Sequence, residues 1–484
     1  MQKIAIQSSI RNCSFIGGEW IGSGTSFEVI NPVDKSVVAK VNEVQAEQVI
    51  QAINTAHTAQ ASWKRLSAIQ RAKYIDSWQR LIRQNVKDLS RLLTLEQGKP
   101  VAESETEILH AADYTQLYGQ LAESFSKTQT IDAPQGQQAS VIRRPVGVVS
   151  AITPWNFPCS MVMRKAAAAI TAGCCVVLKP SELTPLTSLA LAALAQQAGL
   201  PEGVFNVVVG SNAQAIGELL TQNPKVAKLS FTGSTHVGKK LLAQCALGVT
   251  RAAMELGGNA PFIVFEDADL DEAVEGAMAS KFRNAGQTCV SANRFIVHQS
   301  ILPQFQQKLI ERIDQLVVGN GLDSATTIGP LINQSAIDKL DRLIEASIDL
   351  GARMSFRASI GTFAGNFYAP MVLENVTPNM PIFQSEIFGP VVSITSFDSE
   401  AQAIELANQT DMGLCGYFYS EDIERQKRLT ESLEFGMLGV NQARLSNPAA
   451  PFGGFKQSGM GREGGCFGIE EYLDFQYITR PCSQ

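Results

Sequence analysis

A cysteine at position 289 ends the stretch Phe282-Arg283-Asn284-Ala285-Gly286-Gln287-Thr288-Cys289, and a carboxylate at position 255 opens Glu255-Leu256-Gly257-Gly258. A thiol that follows a polar, glycine-bearing segment is unlike the small apolar cysteine of a core, and Val290-Ser291-Ala292-Asn293 beyond it is also partly polar. Thiolate is the reactive form. An ordinary thiol with a pKa near ~8.5 is only a few per cent ionised at pH 7, so a base or local dipoles must assist it. The four histidines, His57, His110, His236 and His298, stand in no cysteine–histidine hydrolase pattern. Glu255, beside its Gly-Gly turn, is left as the base. A thiolate that adds to a carbonyl creates a tetrahedral oxyanion, and a pre-positioned donor is worth about 3 kcal/mol of barrier. Asn156, in Pro154-Trp155-Asn156-Phe157-Pro158, sits at the end of a predicted strand between two prolines and can be one donor. The Cys289 backbone N–H is the other.

The nucleotide signals are less direct. No Gly-x-Gly-x-x-Gly follows any predicted strand, so the common dinucleotide fingerprint is missing. Lys179-Pro180-Ser181-Glu182 follows the apolar strand ending at Leu178. Lys179 at a strand end can bond ribose hydroxyls. Glu182 can do the same and would repel a 2′-phosphate, which favours NAD over NADP, although Lys179 could still pair with that phosphate. Gly233 to Lys239 satisfies Gly-x-x-x-x-Gly-Lys, but Lys240 stands where a triphosphate loop needs Ser or Thr for Mg²⁺. The segment still suits a strand-to-helix turn that meets a phosphate at a helix N-terminus.

Those residues must be held by alternating strands and helices. Short strands are predicted around Phe15–Trp20 and Phe27–Ile30, then amphipathic helices over Ala46–Lys64, Ile69–Leu95 and Val101–Ser126. From Gly147 the order is strand, helix, strand: Gly147–Ile152, a helix from Pro158 to Gly173, Cys174–Leu178, a helix to Ala198, Phe205–Val209 and Lys228–Phe231. A second such series runs from Phe262 to about Val440. The fold class is therefore α/β, two doubly wound domains with parallel sheets covered on both faces. The predicted division is 1–125 with 145–256 for cofactor binding, 257–460 for catalysis, and 126–144 with 461–484 as a β element bridging to another subunit. Exposed edge strands need a partner, so Thr128–Gln138 and Tyr472–Ile478 are candidate oligomer contacts.

Composition excludes other classes. With 484 residues, 45% hydrophobic and 18% charged, the chain is globular and multidomain. A net charge of −6 and the lack of a basic run argue against nucleic acid as partner. The N-terminus Met1–Gln7 lacks the apolar core of a signal peptide, and no apolar run is long enough to span a bilayer. Nine cysteines without framework spacing read as reduced thiols in the cytoplasm. No metal site is expected.

The motifs taken together resemble those of the NAD(P)-dependent aldehyde dehydrogenase superfamily from about Phe15 to Tyr472. They are Pro-Trp-Asn-Phe-Pro, Lys-Pro-Ser-Glu, Phe-Thr-Gly-Ser-Thr, Glu-Leu-Gly-Gly, Gly-Gln-Thr-Cys, Glu386-Ile387-Phe388-Gly389-Pro390 and Pro451-Phe452-Gly453-Gly454, in family order. The resemblance implies NAD, with NADP as the alternative, and a homodimer or homotetramer. It places Glu386 on the nicotinamide ribose, Phe388 beside the nicotinamide, and Trp155, Gly233, Ser234 and Leu256 in the cofactor cleft. Glu255 implies hydrolysis of the thioester rather than transfer to coenzyme A.

Two cations stand near this chemistry. Arg164 lies on an apolar helix, where a guanidinium is unexpected without an anionic partner, and Arg283 precedes Cys289 by six residues. Met163-Arg164-Lys165 and Lys281-Phe282-Arg283-Asn284 resemble the carboxylate-binding segments of succinic semialdehyde dehydrogenases, and Ser446 matches that subfamily's serine. The implied substrate is succinic semialdehyde, then glutaric semialdehyde, with a broad aliphatic aldehyde dehydrogenase as the rival. Two departures stand out. Ser291 replaces the second cysteine of a redox pair, and Arg444 adds an unexpected charge near Ser446.

Overall fold

The computed structural model describes residues 11–482, so the N-terminal heptapeptide discussed above lies outside the described residues. Two sheets organise the chain. In the first, five parallel strands run in the spatial order Phe205–Val207, Cys175–Lys179, Val148–Ile152, Val226–Thr232, Arg251–Glu255. Antiparallel edges complete it: the hairpin Ser14–Ile16 with Glu19–Ile21 on one side and Gly459–Met460 on the other. The second sheet has seven strands, and only its edge strand Arg353–Arg357 is antiparallel. Its centre is Ala260–Val264 beside Ala292–His298. Both central strands are buried on both faces, as helix-covered parallel sheets must be.

The first sheet reverses its winding between Val148–Ile152 and Val226–Thr232. Strands added after the former run outward on one side, and the chain then returns to add the latter on the other. Such a switch point leaves a crevice at the carboxyl ends of the strands. Glu255 ends the last parallel strand of this sheet. Leu256 to Asn259 then carry the chain directly into Ala260–Val264 of the second sheet. The seam between the sheets therefore lies at Glu255.

The helix Ser160–Ala172 is buried at every position and is rich in alanine, so it can lie close under the sheet and against Val101–Leu121. Gly173 ends it at φ +102, in the left-handed conformation that glycine accepts without a Cβ penalty. The predicted helix Ile69–Leu95 is two helices, Ala68–Gln84 and Val86–Gln97, that meet at Asn85, whose Nδ2 donates to the Leu81 carbonyl. Propensity there is continuous; the side-chain bond that satisfies the last turn is what breaks the run.

A third sheet pairs Leu473–Pro481 with Gln137–Pro145 over nine residues, and the latter with Gln129–Ile131. Phe475 and Tyr477 on its edge strand are exposed. Within the span 461–484, residues Gly465–Glu470 form a helix on Val101–Leu121 and Ser160–Ala172 rather than part of this sheet. No helix among the described residues is long and apolar enough to cross a membrane.

Candidate active site

Cys289 stands at the N-terminal edge of the second sheet, three residues before Ala292–His298, and keeps part of its surface exposed. Three consecutive left-handed residues precede it: Asn284 (φ 52), Ala285 (φ 54) and Gly286 (φ 76). Left-handed conformations cost a non-glycine residue roughly 1–2 kcal/mol, so the surroundings must impose this turn. They do so through hydrogen bonds. Gln97 Nε2 donates to Asn284 Oδ1 at 2.9 Å, and the Asn284 N–H donates to Glu103 Oε2 at 2.8 Å. Gln287 Nε2 donates to the Asn284 and Pro330 carbonyls, while Gln287 Oε1 accepts from the Ile332 N–H. A Cβ on Gly286 would lie 2.3 Å from the Gly389 carbonyl oxygen, and one on Gly258 would lie 2.4 Å from that of Cys289. Glycine at both positions lets three backbone segments meet behind the thiol.

Asn156 is buried, and its Nδ2 donates to the Gln287 carbonyl at 3.1 Å, which ties the predicted oxyanion donor to the cysteine loop. Its own carbonyl accepts from Lys99 Nζ at 2.6 Å. Lys99 is paired with Glu107 at 2.7 Å, and Glu107 Oε1 accepts the Cys159 and Ser160 N–H groups at the start of the helix that carries Arg164.

Burial, then the carboxylates of Glu386 and Glu255, push the Cys289 thiol up to about 12, against a smaller pull from Arg164 and Arg283. The thiol is neutral at rest. Burial and the neighbouring Glu463 push Glu255 well above the usual carboxylate range, while Lys165, Arg164 and Arg462 oppose them. Glu463 is itself paired with Lys165 at 2.5 Å. A Cβ on Gly453 would lie 2.9 Å from Glu255 Oε1, so that glycine leaves the carboxylate its space.

Arg164 and Lys165 are the two charges of the Ser160–Ala172 helix, and their fates differ. Lys165 is neutralised by Glu463. Arg164 retains 4% of its accessible surface, lies between the rings of Tyr114 (4.6 Å) and Phe452 (4.5 Å), and donates from Nη2 to Ser446 Oγ at 2.9 Å. Its Nε and Nη1 have no partner among the described residues. Arg283 is exposed, over the Phe157 ring at 5.3 Å. Arg444, also exposed, donates its backbone N–H to Gln442 Oε1.

The remaining predicted residues gather at the crevice of the first sheet. Lys179 and Glu182, at the end of Cys175–Lys179, pair at 2.9 Å. Gly233 and Ser234 form the turn after Val226–Thr232, where Ser234 Oγ caps the twelve-residue helix Thr235–Ala246. Leu256 packs into the space of Gly238 on that helix. Glu386 accepts the Gly258 N–H at 3.0 Å, and burial raises it to about 7. Phe388, at φ 58, meets Trp155 edge to face at 5.6 Å. A switch-point crevice with a helix N-terminus, a Lys/Glu pair at one strand end and aromatic rings near Cys289 fits a dinucleotide. Lys239, the lysine of the apparent triphosphate loop, instead donates to Gln457 on the surface. Among the described residues no cluster of His, Cys, Asp and Glu could hold a metal ion.

Residues 20–478 match the model of the aldehyde dehydrogenase family. The chain belongs to that family. It is 47% identical to 3-sulfolactaldehyde dehydrogenase of Pseudomonas putida over 481 residues, covering 99% of both proteins. It is 45% identical to succinate-semialdehyde dehydrogenase [NADP(+)] of Escherichia coli K12, covering 98% of this chain and 99% of that one. The crystal structure of an aldehyde dehydrogenase from Brucella melitensis biovar abortus 2308 superposes with a TM-score of 0.97 at 45% identity, covering 100% of both chains.

In this aldehyde dehydrogenase one helix face organises much of the site. Glu103, Glu107, His110 and Tyr114 recur at intervals of four, three and four on Val101–Leu121, a single helical stripe. They bond the Asn284 N–H, Lys99 and the Cys159 N–H, Ser446 Oγ, and the Arg164 guanidinium face, respectively. The sequence assigned none of them a role, nor Lys99 and Glu463, and it named Lys165 and Gln287 only as members of motifs. Their polar spacing was the available signal, but it reads equally as a solvated face until the partner helix is known.

Proposed function

We infer that this aldehyde dehydrogenase oxidises a short aldehyde with an anionic group at its far end, succinic semialdehyde first. The observation that carries this is Arg164: a buried guanidinium with two unpartnered nitrogens, adjacent to Ser446 and within electrostatic reach of Cys289. Burying a cation without an anion is costly, and a substrate carboxylate is a partner of the right geometry. Arg283, at the mouth, is the second cation. The relative named 3-sulfolactaldehyde dehydrogenase favours a second reading, a sulfonated three-carbon aldehyde, which also brings an anion to Arg164. Glutaric semialdehyde is the longer alternative.

In the proposed reaction the Cys289 thiol gives its proton to water as sulfur bonds the aldehyde carbon, and the carbonyl oxygen becomes an oxyanion. Asn156 Nδ2 and the Cys289 N–H donate to that oxygen. Lys179, Glu182, Gly233, Ser234, Leu256, Glu386, Phe388 and Trp155 would hold a nicotinamide dinucleotide, which when bound would supply the hydride acceptor for oxidation of this adduct to a thioester on Cys289. Glu255 then takes a proton from water, which adds to the thioester carbon and expels the Cys289 sulfur. A carboxylate raised by burial is a stronger base for this step. Glu182 supports NAD over NADP.

The sheets support a cofactor unit (1–125 and 145–256) followed by a catalytic unit from 257 and a bridging element in 126–144 and the tail strand Leu473–Pro481, while Gly459–Met460 and the helix Gly465–Glu470 return to the cofactor unit rather than keeping to the predicted bounds 257–460 and 461–484. The exposed edge strand Leu473–Pro481 supports a homodimer or homotetramer. Nine free cysteines support a reducing, cytoplasmic setting. The test is NADH formation with succinic, glutaric and sulfonated aldehydes beside propanal, with NADP in parallel. A strong preference for the anionic aldehydes supports the reading, and equal kcat/KM with propanal contradicts it.

A further inference from the structure

Ser446 has one hydroxyl hydrogen and two lone pairs. Arg164 Nη2 occupies one lone pair at 2.9 Å, and His110 Nε2 lies 2.8 Å from the same oxygen. What His110 does there decides what Ser446 can offer a substrate. If the imidazole accepts, the serine proton is spent inside the protein, and Ser446 presents no donor to an anion. If the imidazole donates from Nε2–H, both lone pairs are filled, and the serine proton can only point outward, toward whatever lies against Arg164.

We propose that His110 is a positioning residue for substrate specificity, whose Nε2–H donates to Ser446 Oγ and thereby aims the serine hydroxyl at the anionic end of the aldehyde. The inference rests on the anionic-aldehyde reading and deepens it by naming the residue that orients the second donor. The surroundings suit a neutral donor. His110 is held edge-on to the Tyr114 ring at 5.0 Å, one helical turn along Val101–Leu121, and Tyr114 is also one of the two rings that sandwich Arg164. Ring, guanidinium and hydroxyl therefore form one packed unit. Burial and the Arg164 cation hold His110 down at about 4, so the imidazole carries a single N–H at neutral pH and adds no second charge to the pocket. Neither the catalytic thiol nor the cofactor crevice needs this histidine.

The test compares His110→Phe, His110→Gln and His110→Asn in the full-length enzyme, with succinic semialdehyde and propanal as probes. A glutamine amide can place an N–H near the Nε2 position, whereas asparagine is too short. A hydrogen bond to a charged group is worth roughly ten-fold in affinity. His110→Phe and His110→Asn are expected to raise KM for succinic semialdehyde about ten-fold with kcat within about two-fold, and to leave propanal kinetics unchanged. His110→Gln is expected to recover most of the KM. Combined with Ser446→Ala, His110→Phe is expected to add no further loss, because it acts through that hydroxyl. The proposal is overturned if His110→Phe leaves KM for the semialdehyde unaltered, if it slows both aldehydes equally, if Asn rescues as well as Gln, or if the two substitutions are additive. The anionic-aldehyde reading fails separately, and visibly, if the unsubstituted enzyme does not distinguish the two aldehydes.

Discussion

Replacing Arg164 by methionine isolates the charge from the packing. The methionine stem keeps the space between Tyr114 and Phe452, which the guanidinium now fills at 4.6 and 4.5 Å. What is lost is the Nη2 bond to Ser446 and the two nitrogens free for a substrate carboxylate. Hydrogen bonds to charged groups contribute roughly 1.5–3 kcal/mol each, so two of them to a bound carboxylate amount to about 3–4 kcal/mol after a partial discount for water that re-enters the pocket. At about 1.4 kcal/mol per decade, kcat/KM for succinic semialdehyde is expected to fall 10²–10³-fold. Propanal has no carboxylate to lose, and its kcat/KM is expected to stay within about three-fold. No carboxylate hydrogen-bonds this cation and Glu463 acts on it only at a distance, so its removal, which lifts the desolvation cost and forfeits that attraction together, is also expected to leave Tm close to that of the parent. Steady-state kinetics on both aldehydes and a thermal melt decide the matter. An equal loss on both aldehydes would show that Arg164 holds the fold or the nucleophile rather than the substrate. An unchanged rate with the semialdehyde would remove it from the pocket altogether.

Three further outcomes follow from distances and burial. Gly258→Ala puts a Cβ 2.4 Å from the Cys289 carbonyl oxygen, so the nucleophile loop must move; kcat is expected to fall at least about 100-fold while circular dichroism stays native. With the Cys289 thiol pushed up to about 12, its alkylation by iodoacetamide in the enzyme alone is expected to accelerate with pH through at least pH 10, and a plateau below pH 8 would refute the half-buried, carboxylate-flanked setting. Burial raises Glu386 from 4.5 to about 7, so the folded state holds this proton more tightly than the unfolded chain. That stabilisation is complete below about pH 4.5 and is lost as pH rises through 7. Glu386→Gln is therefore expected to gain Tm relative to the parent between pH 5 and pH 8, and a constant difference across that range would contradict it.

Much of this site was legible because its chemistry is carried by rare residues in short runs. Cys289, Glu255 and Asn156 lie in glycine- or proline-bounded segments, although the groups they meet, such as Gln287 for Asn156, are remote in the chain. The parallel sheet was legible from the largely apolar runs at Val148–Ile152 and Cys175–Lys179, which have little reason to be so apolar unless both faces are covered. The supporting polar residues were not. Glu103, Glu107, His110 and Tyr114 belong to a helix that was expected, but the face that meets the site is itself polar and so does not stand out from a solvated one. Their partners lie as far as 336 residues away, as for His110 and Ser446, and no local pattern encodes that meeting. The run of left-handed residues at Asn284 and Ala285 was equally hidden, since Asn tolerates that conformation without dictating it and Ala disfavours it. It is tertiary hydrogen bonding from Gln97, Glu103 and Gln287 that imposes it.

The most direct test of the account is intact-mass analysis of Glu255→Gln mixed with succinic semialdehyde and NAD. With the proposed base removed, hydride transfer can proceed but water is no longer activated, so a succinyl thioester of about 100 Da is expected to accumulate on the enzyme and to map to Cys289 by peptide sequencing. An unmodified protein that turns over at the parent rate, or an acyl group on any other residue, would contradict it.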